Sequence, residues 1–370
     1  MIGDPVAWLA LVLLGLGLLS LPVEAGEFAW PGNLAAGLVA LAAAIWCGLR
    51  RPKGLVAGLI VAAAVAIGAL GPLRLVTAVG TVGPRALGFW AYLVGLGFLA
   101  WRAMALLATS ASLSKPVNRL LALLVPLLFG AWLITLWQVL VVGLGVPRVL
   151  LPAPSAIAEV MAGSSATMAA DFYQTIIRAV IPGWLIGCGV GFVIALLVDR
   201  VPFLQRGLLP LGNFVSAIPI VGIAPIMVMW FGFDWHSKAA VVVIMTVFPM
   251  LVNTIAGLAA SGAMERDLMR SYAAGYVQTM VRLRLPSALP FIFNALKINS
   301  TLAMIGAIVA EFFGTPIVGM GFRISTEVGR MNIDLVWGTI VVAAVTGSLF
   351  YGLLALLERA VTFWHPSYRT

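Results

Sequence analysis

Glu265 to Pro290 reads ERDLMRSYAAGYVQTMVRLRLPSALP, a polar interruption between two long apolar stretches. Four arginines (266, 270, 282 and 284) and two carboxylates (Glu265 and Asp267) fall within it. At helical period Leu268, Met269, Tyr272, Tyr276, Met280 and Leu283 share one arc, with Asp267, Arg270, Ser271, Gln278 and Arg282 opposite. That pattern predicts an amphipathic helical segment. Leu285-Pro286 should stop it, because proline lacks the N–H donor and disfavours helix in the residue before it. Between two oily spans, such a segment offers a shaped surface to something in water. A helix lying on the membrane surface is the plainer alternative.

The surroundings establish the class. The chain has 370 residues, 62% of them hydrophobic and 9% charged, with mean hydropathy +1.10. Soluble domains carry about 25% charged residues, so this is an integral membrane protein. Apolar runs near the roughly 20 residues needed to cross a bilayer imply helices rather than barrel strands. An all-α polytopic fold is therefore expected. The net charge of +9 is read as loop residues that orient the chain, not as a nucleic-acid surface. Cys47 and Cys188 lie in apolar stretches, which argues against a structural disulfide. The N-terminus resembles a signal peptide, but it lacks a positive first region and carries Asp4, so it is read as a retained helix.

Ten spans can be drawn: Val6–Leu21, Leu34–Leu49, Leu55–Leu70, Ala86–Leu107, Leu120–Val142, Ile176–Val198, Leu208–Phe231, Ala239–Leu258, Phe291–Phe313 and Leu335–Leu357. With the N-terminus inside, basic residues favour the inner loops about two to one. The acidic first loop, with Glu24 and Glu27, then lies outside. Both termini and residues 265–290 are thus predicted to be cytoplasmic. The polar run LATSASLSKPVNR, residues 107–119, divides the chain into an N-terminal block of about four spans (1–112) and a second block (113–370). No repeat of 20–50 residues is visible. In the second block, Pro152 and Pro154 lead into Ser155 as the cap of a short outer helix. Pro219 and Pro225 predict a kink in the seventh span.

Catalytic chemistry finds little footing. The histidines are His236 and His365, so neither HExxH nor a zinc cluster occurs, and no metal site is expected. There is no GxSxG. None of the four lysines follows a glycine, so the chain has no P-loop and any ATP must be bound by another subunit. Polar groups at membrane depth are candidates for a solute pathway. They are Asn253, near the inner end of the eighth span, then Lys297, Asn299 and Ser300 early in the ninth, and Glu311 at its outer end. Each has a plainer reading. Lys297 is near enough to the interface to snorkel, Asn253 suits a helix–helix pair, and Glu311, which near Gly314, Gly319 and Gly321 could shape an outer gate, suits a solvated loop acid. Met227, Met229 and Trp230 read as packing residues.

SYAAGYVQTMVRLRLPSALPFIFNALKI resembles the signature loop of permease subunits in binding-protein-dependent ABC importers. The family pattern is E-A-A, three residues, Gly, then about a dozen residues to Leu-Pro. Counted back from Leu285-Pro286, its glycine falls on Ala273 and its E-A-A on Asp267-Leu268-Met269. The acid, the spacing and the Leu-Pro are kept; the alanines and the glycine are not. Gly275 is the alternative seat for the turn, and the segment would then be two short helices. LLPAPSAI, IPIVGIAPIMVMWFGF, FPMLVNTIAGL, AIVAEFFGTPIVGMGF and FWHPSYR also resemble the nitrate, sulfonate and taurine branch, so the likeness covers about residues 117–370.

The resemblance implies a six-helix type I importer core after an N-terminal extension, in a bacterial inner membrane. Two permease subunits, identical or paralogous, would form the pathway, and an extracytoplasmic binding protein would deliver solute. An ABC ATPase would dock on the coupling loop, 262–290, through Asp267, Leu268, Met269, Arg270, Tyr272, Ala273, Gly275, Tyr276, Arg282, Leu285 and Pro286. No cofactor is implied on this chain; ATP and Mg belong to the ATPase. Among solutes, the wording is most similar to pyrimidine- and riboflavin-type members. Two other classes of membrane protein make different demands on the sequence. A secondary transporter driven by an ion gradient should show paired intramembrane acids and an inverted repeat. A membrane-embedded enzyme should show a nucleophile and base. Neither pattern is evident.

Overall fold

The computed structural model describes residues 4–19, 30–110, 115–201, 203–204, 207, 218–314 and 317–364, with side chains omitted at 30–33 and 115–116. Glu24, Glu27, residues 111–114 of the polar run and the first ten residues of the expected span Leu208–Phe231 lie outside the described residues. All described elements are helical. Among the described residues, seven helices are long and apolar enough to cross a membrane: Leu55–Val79, Leu87–Ala108, Val117–Gly143, Ser165–Arg200, Trp235–Ala259, Tyr276–Glu311 and Ile333–Val361. Pro5–Leu19, Leu34–Arg50 and Ile220–Phe231 are apolar but shorter.

Two compact units emerge, Met1–Ala158 and Glu159–Thr370. In the first, helices α1 (Pro5–Leu19), α2 (Trp30–Arg50), α3 (Leu55–Val79) and α4 (Leu87–Ala108) pack through small side chains. Ala7, Ala10, Ala40 and Ala44 are fully buried there with Leu14, Leu96 and Leu99. Small residues let backbones approach closely enough for dispersion to act where no hydrophobic force separates helix from lipid. Asp4 pairs with Arg102 of α4 across the bundle. Helix α5 (Lys115–Gly143) packs on α3 and α4 within this unit.

Helix α6 (Pro154–Gly163) corrects one expectation. Pro154 is its first residue and Ser155 lies inside it, so Ser155 is not the cap. The Ser155 N–H instead donates to Oε1 of Gln138 at 3.0 Å, and Gln138 Nε2 donates to Ser155 Oγ at 2.9 Å. The orphan N–H of the first turn is satisfied from α5, beyond any local capping motif.

The second unit is built on the continuous helix Ser165–Arg200, made of α7 (Ser165–Phe172), a π-turn (Tyr173–Val180) and α8 (Ile181–Arg200). Helix α9 (Ile220–Phe231) starts immediately after Pro219, which is extended at φ −60°, ψ 127°. Pro219 therefore begins this helix, and only Pro225 lies within it. Helix α10 (Trp235–Ala259) packs between α8 and the long helix that follows the signature loop. Gly183, Gly187 and Gly191 bring α8 onto α10. A methyl group on them would strike Val242, Thr246 Oγ1 and the Val247 carbonyl respectively. The same helix carries Gly189, around which nothing lies within 4 Å.

That contrast makes a paired prediction. Gly187→Ala should destabilise the folded protein by about 1–3 kcal/mol, the usual cost of overpacking. Gly189→Ala should leave it unchanged or slightly stabilised. Thermal unfolding of the two variants in the same detergent checks both.

Candidate functional site

The signature segment forms two helices joined by a turn. Helix α11 (Ala263–Ser271) buries no residue, and α12 (Tyr276–Thr279) runs through a π-turn (Met280–Arg284) into α13 (Leu285–Glu311). The single continuous stripe is thus broken at residues 272–275. The turn sits at Ala273, whose φ is +53°, and not at Gly275, whose φ is −68°. Ala273 N–H bonds the Arg270 carbonyl at 2.8 Å and Ala274 N–H bonds the Met269 carbonyl at 3.0 Å. This pair of bonds is the Schellman closure, which normally recruits glycine at the left-handed position. Alanine holds the glycine's place and adopts the glycine's conformation.

The Leu-Pro expectation is also corrected. Leu285 is helical, at φ −63° and ψ −47°, and Pro286 stands in the first turn of α13. In that position the missing N–H is one of the orphan donors a helix start leaves free anyway. The proline therefore starts the long helix, and the π-turn before it absorbs the change of register.

Exposure sorts the named residues. Met264 (79%), Leu268 (56%), Tyr272 (78%) and Val277 (72%) form an apolar row open to solvent. Met280 is 7% exposed and joins a core cluster with Leu258 and Ala288, so it faces inward. Asp267 and Arg270 pair at 3.1 Å with side chains 69% and 82% exposed, a geometry that contributes little to stability. Arg282 and Gly275 are exposed, whereas Met269 and Leu285 are half-buried. Tyr276 turns toward α8, where its hydroxyl donates to Asp199 at 3.2 Å.

The membrane-depth groups do not gather into one site. Asn253 donates to the Pro249 carbonyl at 2.8 Å and accepts from Asn294 at 3.4 Å. Lys297 is not snorkelling to an interface: it pairs with Glu358 of helix α15 (Ile333–Val361) at 2.6 Å, with side chains 15% and 8% exposed. Asn299 is fully buried, and its amide donates to the Thr246 carbonyl at 2.8 Å and to Cys188 Sγ at 3.2 Å. Ser300, also fully buried, bonds the Lys297 carbonyl at 2.7 Å.

Glu311 departs most from its solvated reading, being 2% exposed. Its carboxylate accepts from Thr175 Oγ1 at 2.8 Å and from Gly321 N–H at 2.6 Å. Thr175 Oγ1 takes the Met320 N–H at 2.8 Å, and Asp171 takes the Gly319 N–H at 2.8 Å. Three successive N–H groups at the start of α14 (Met320–Gly329) are therefore capped by side chains of other helices. Asp171 also holds Arg323 at 2.8 Å, a hydrogen bond that raises the guanidinium pKa further. Gly319, at φ +145°, and Gly321 leave room for the Glu311 carboxylate and the Ile308 carbonyl. Lys238, counted as a loop cation, is 1% exposed and donates to the Phe233 and Asp234 carbonyls at 2.5 and 3.1 Å. Helix α13, with 27 residues at 1.5 Å rise, keeps this cluster about 40 Å from the signature segment.

Fold and site together define a multi-pass helical membrane protein with an exposed apolar loop at one end of α13 and a buried charged cluster at the other. A family model for the binding-protein-dependent transport system inner membrane component matches residues 187–363. The formylaminopyrimidine transport permease ThiX of Halalkalibacterium halodurans is 30% identical over 243 residues, covering 65% of this chain and 95% of that relative. The putative aliphatic sulfonates permease SsuC of Bacillus subtilis is 29% identical over 259 residues (69% and 92%). The riboflavin permease RibX of Chloroflexus aurantiacus is 27% identical over 239 residues (64% and 88%). The chain belongs to this family and is the permease component of an ABC importer for small solutes.

A left-handed alanine costs about 1 kcal/mol relative to glycine. Ala273→Gly should therefore tighten the turn. Hydrogen exchange at the Ala274 amide should slow, with the melting temperature of the whole protein little changed.

Proposed function

We propose that this permease couples to a separate ATPase subunit through residues 262–290 and, with a second permease copy or paralogue, forms the pathway for its solute. The observation that carries this reading is the set of exposed apolar side chains Met264, Leu268, Tyr272 and Val277, carried by two short helices and the turn between them, neither helix burying a residue. In an aqueous loop such a row is costly unless a partner covers it, and aromatic and methionine anchors ringed by charges are the composition of protein interfaces. The excess of basic residues in alternate loops supports a cytoplasmic location for this end and for both termini. ATP and Mg are held by the partner, and this chain needs no cofactor of its own. An extracytoplasmic binding protein delivers solute at the opposite end of α13. The first four helices, residues 1–112, are an extension to that machinery.

The relatives named for formylaminopyrimidine and riboflavin support a small heteroaromatic solute; the sulfonate relative keeps an organic anion as the second reading. A melting-shift screen of the accompanying binding protein against pyrimidine, flavin and sulfonate compounds decides between them. Stabilisation by sulfonates alone sinks the first reading.

The double variant Asp267→Ala/Arg270→Ala removes two mutually paired surface charges and strands neither. It should insert and fold normally while weakening ATPase binding about ten-fold or more, the scale of a small interface cluster. Pull-down of the ATPase and uptake into vesicles measure this. Unchanged ATP-driven uptake would remove the docking role from this surface.

A further inference from the structure

Three helix ends meet at one arginine. Arg284 forks onto Asp199 in the last turn of α8, with Nη1 to Oδ2 at 2.7 Å and Nη2 to Oδ1 at 2.6 Å. Its Nε donates to the Leu258 carbonyl in the last turn of α10 at 3.2 Å. Tyr276, at the start of α12, donates to the same Oδ2, and the Arg200 guanidinium carbon lies 4.3 Å from the centre of the Tyr276 ring.

The arrangement differs in kind from the surface pair on α11. Arg284 and Asp199 side chains are only 16% and 12% exposed, so solvent and salt screen them weakly. A bidentate guanidinium–carboxylate pair fixes orientation as well as distance. Asp199 also sits at a helix C-terminus, where the macrodipole disfavours a carboxylate. Its position is unfavourable without the arginine. Arg284 closes the π-turn, and local π-turns recur at functional positions.

We propose that Asp199 and Arg284 are a positioning pair that ties the coupling segment to α8, so that movement imposed on the segment reaches that helix directly. This rests on the coupling role proposed above. The backbone already joins the segment to α10 on one side and to α13 on the other. Helix α8 is 85 residues away in sequence from Arg284 and has no such covalent link. The fork supplies a noncovalent link in its place, and the Leu258 bond draws the end of α10 into the same joint. Tyr276 lies across the joint and braces the start of α12 against Arg200.

The test uses the whole importer in vesicles, with ATPase and binding protein, and compares Asp199→Ala, Arg284→Ala, the double variant and Arg284→Lys. ATPase binding should stay near wild type, because the exposed row is untouched. Solute moved per ATP hydrolysed should fall about ten-fold in each alanine variant, within the usual range of coupling between sites. The double variant should lose no more than either single, as partners in one interaction do. Arg284→Lys keeps the charge without the fork and should recover part of the ratio. This milder variant decides the matter if the alanine variants fail to fold: a full wild-type ratio would overturn the proposal. So would an Asp199→Ala importer with normal transport per ATP, or one whose loss is wholly a loss of ATPase binding. A wild-type permease that binds no ATPase would instead overturn the coupling role, and this proposal with it.

Discussion

A backbone N–H or C=O facing hydrocarbon has no water to bond, and each unsatisfied group costs several kcal/mol. That constraint makes every long described element of this chain a helix and leaves the helix ends as places where polar chemistry is required. The structure answers it with side chains from distant helices. Asp171, Thr175 and Glu311 cap the start of α14. Gln138 caps α6 from α5. Arg284 takes a terminal carbonyl of α10. Buried charge in the second unit lies at both ends of α13, where each cluster does for a helix end what water does in a soluble protein, and at the Lys297–Glu358 pair midway between them.

Between those ends, packing is set by shape. The Gly183, Gly187 and Gly191 row lets α8 lie against α10 at a separation no side chain would permit. Asn299 then ties α13 to α10 through the Thr246 carbonyl, and Lys297 ties α13 to α15 through Glu358. The signature segment lies outside that satisfied interior. Among the described residues, Met264, Leu268, Tyr272 and Val277 are each more than half open to solvent.

The class and the amphipathic loop were legible in the sequence because they depend on local composition and spacing. Twenty-residue apolar runs can only be helices in lipid, and Asp267 to Pro286 keeps the spacing of a known loop whatever surrounds it. The glycine row was also within reach, since three glycines at intervals of four are a recognised helix-contact pattern. The position of the turn was less accessible. Ala273 is a poor left-handed residue, and only the Schellman bonds across it show why the chain bends there and not at Gly275.

Other residues were misread for one shared reason: a linear pattern carries no partner. Glu311 looked like a loop acid until Thr175, 136 residues earlier, was found against it. Lys297 looked free to reach water until Glu358 closed on it. Asp199 carried no signal at all, and Arg284 counted only as one basic loop residue among many. By itself the sequence determined what is local: the helical class, the apolar spans and a loop with the chemistry of a docking surface. The tertiary structure alone decided which charges are buried and which ends are joined, because the energy of a charge depends on the partner and the water around it, and chain order encodes neither.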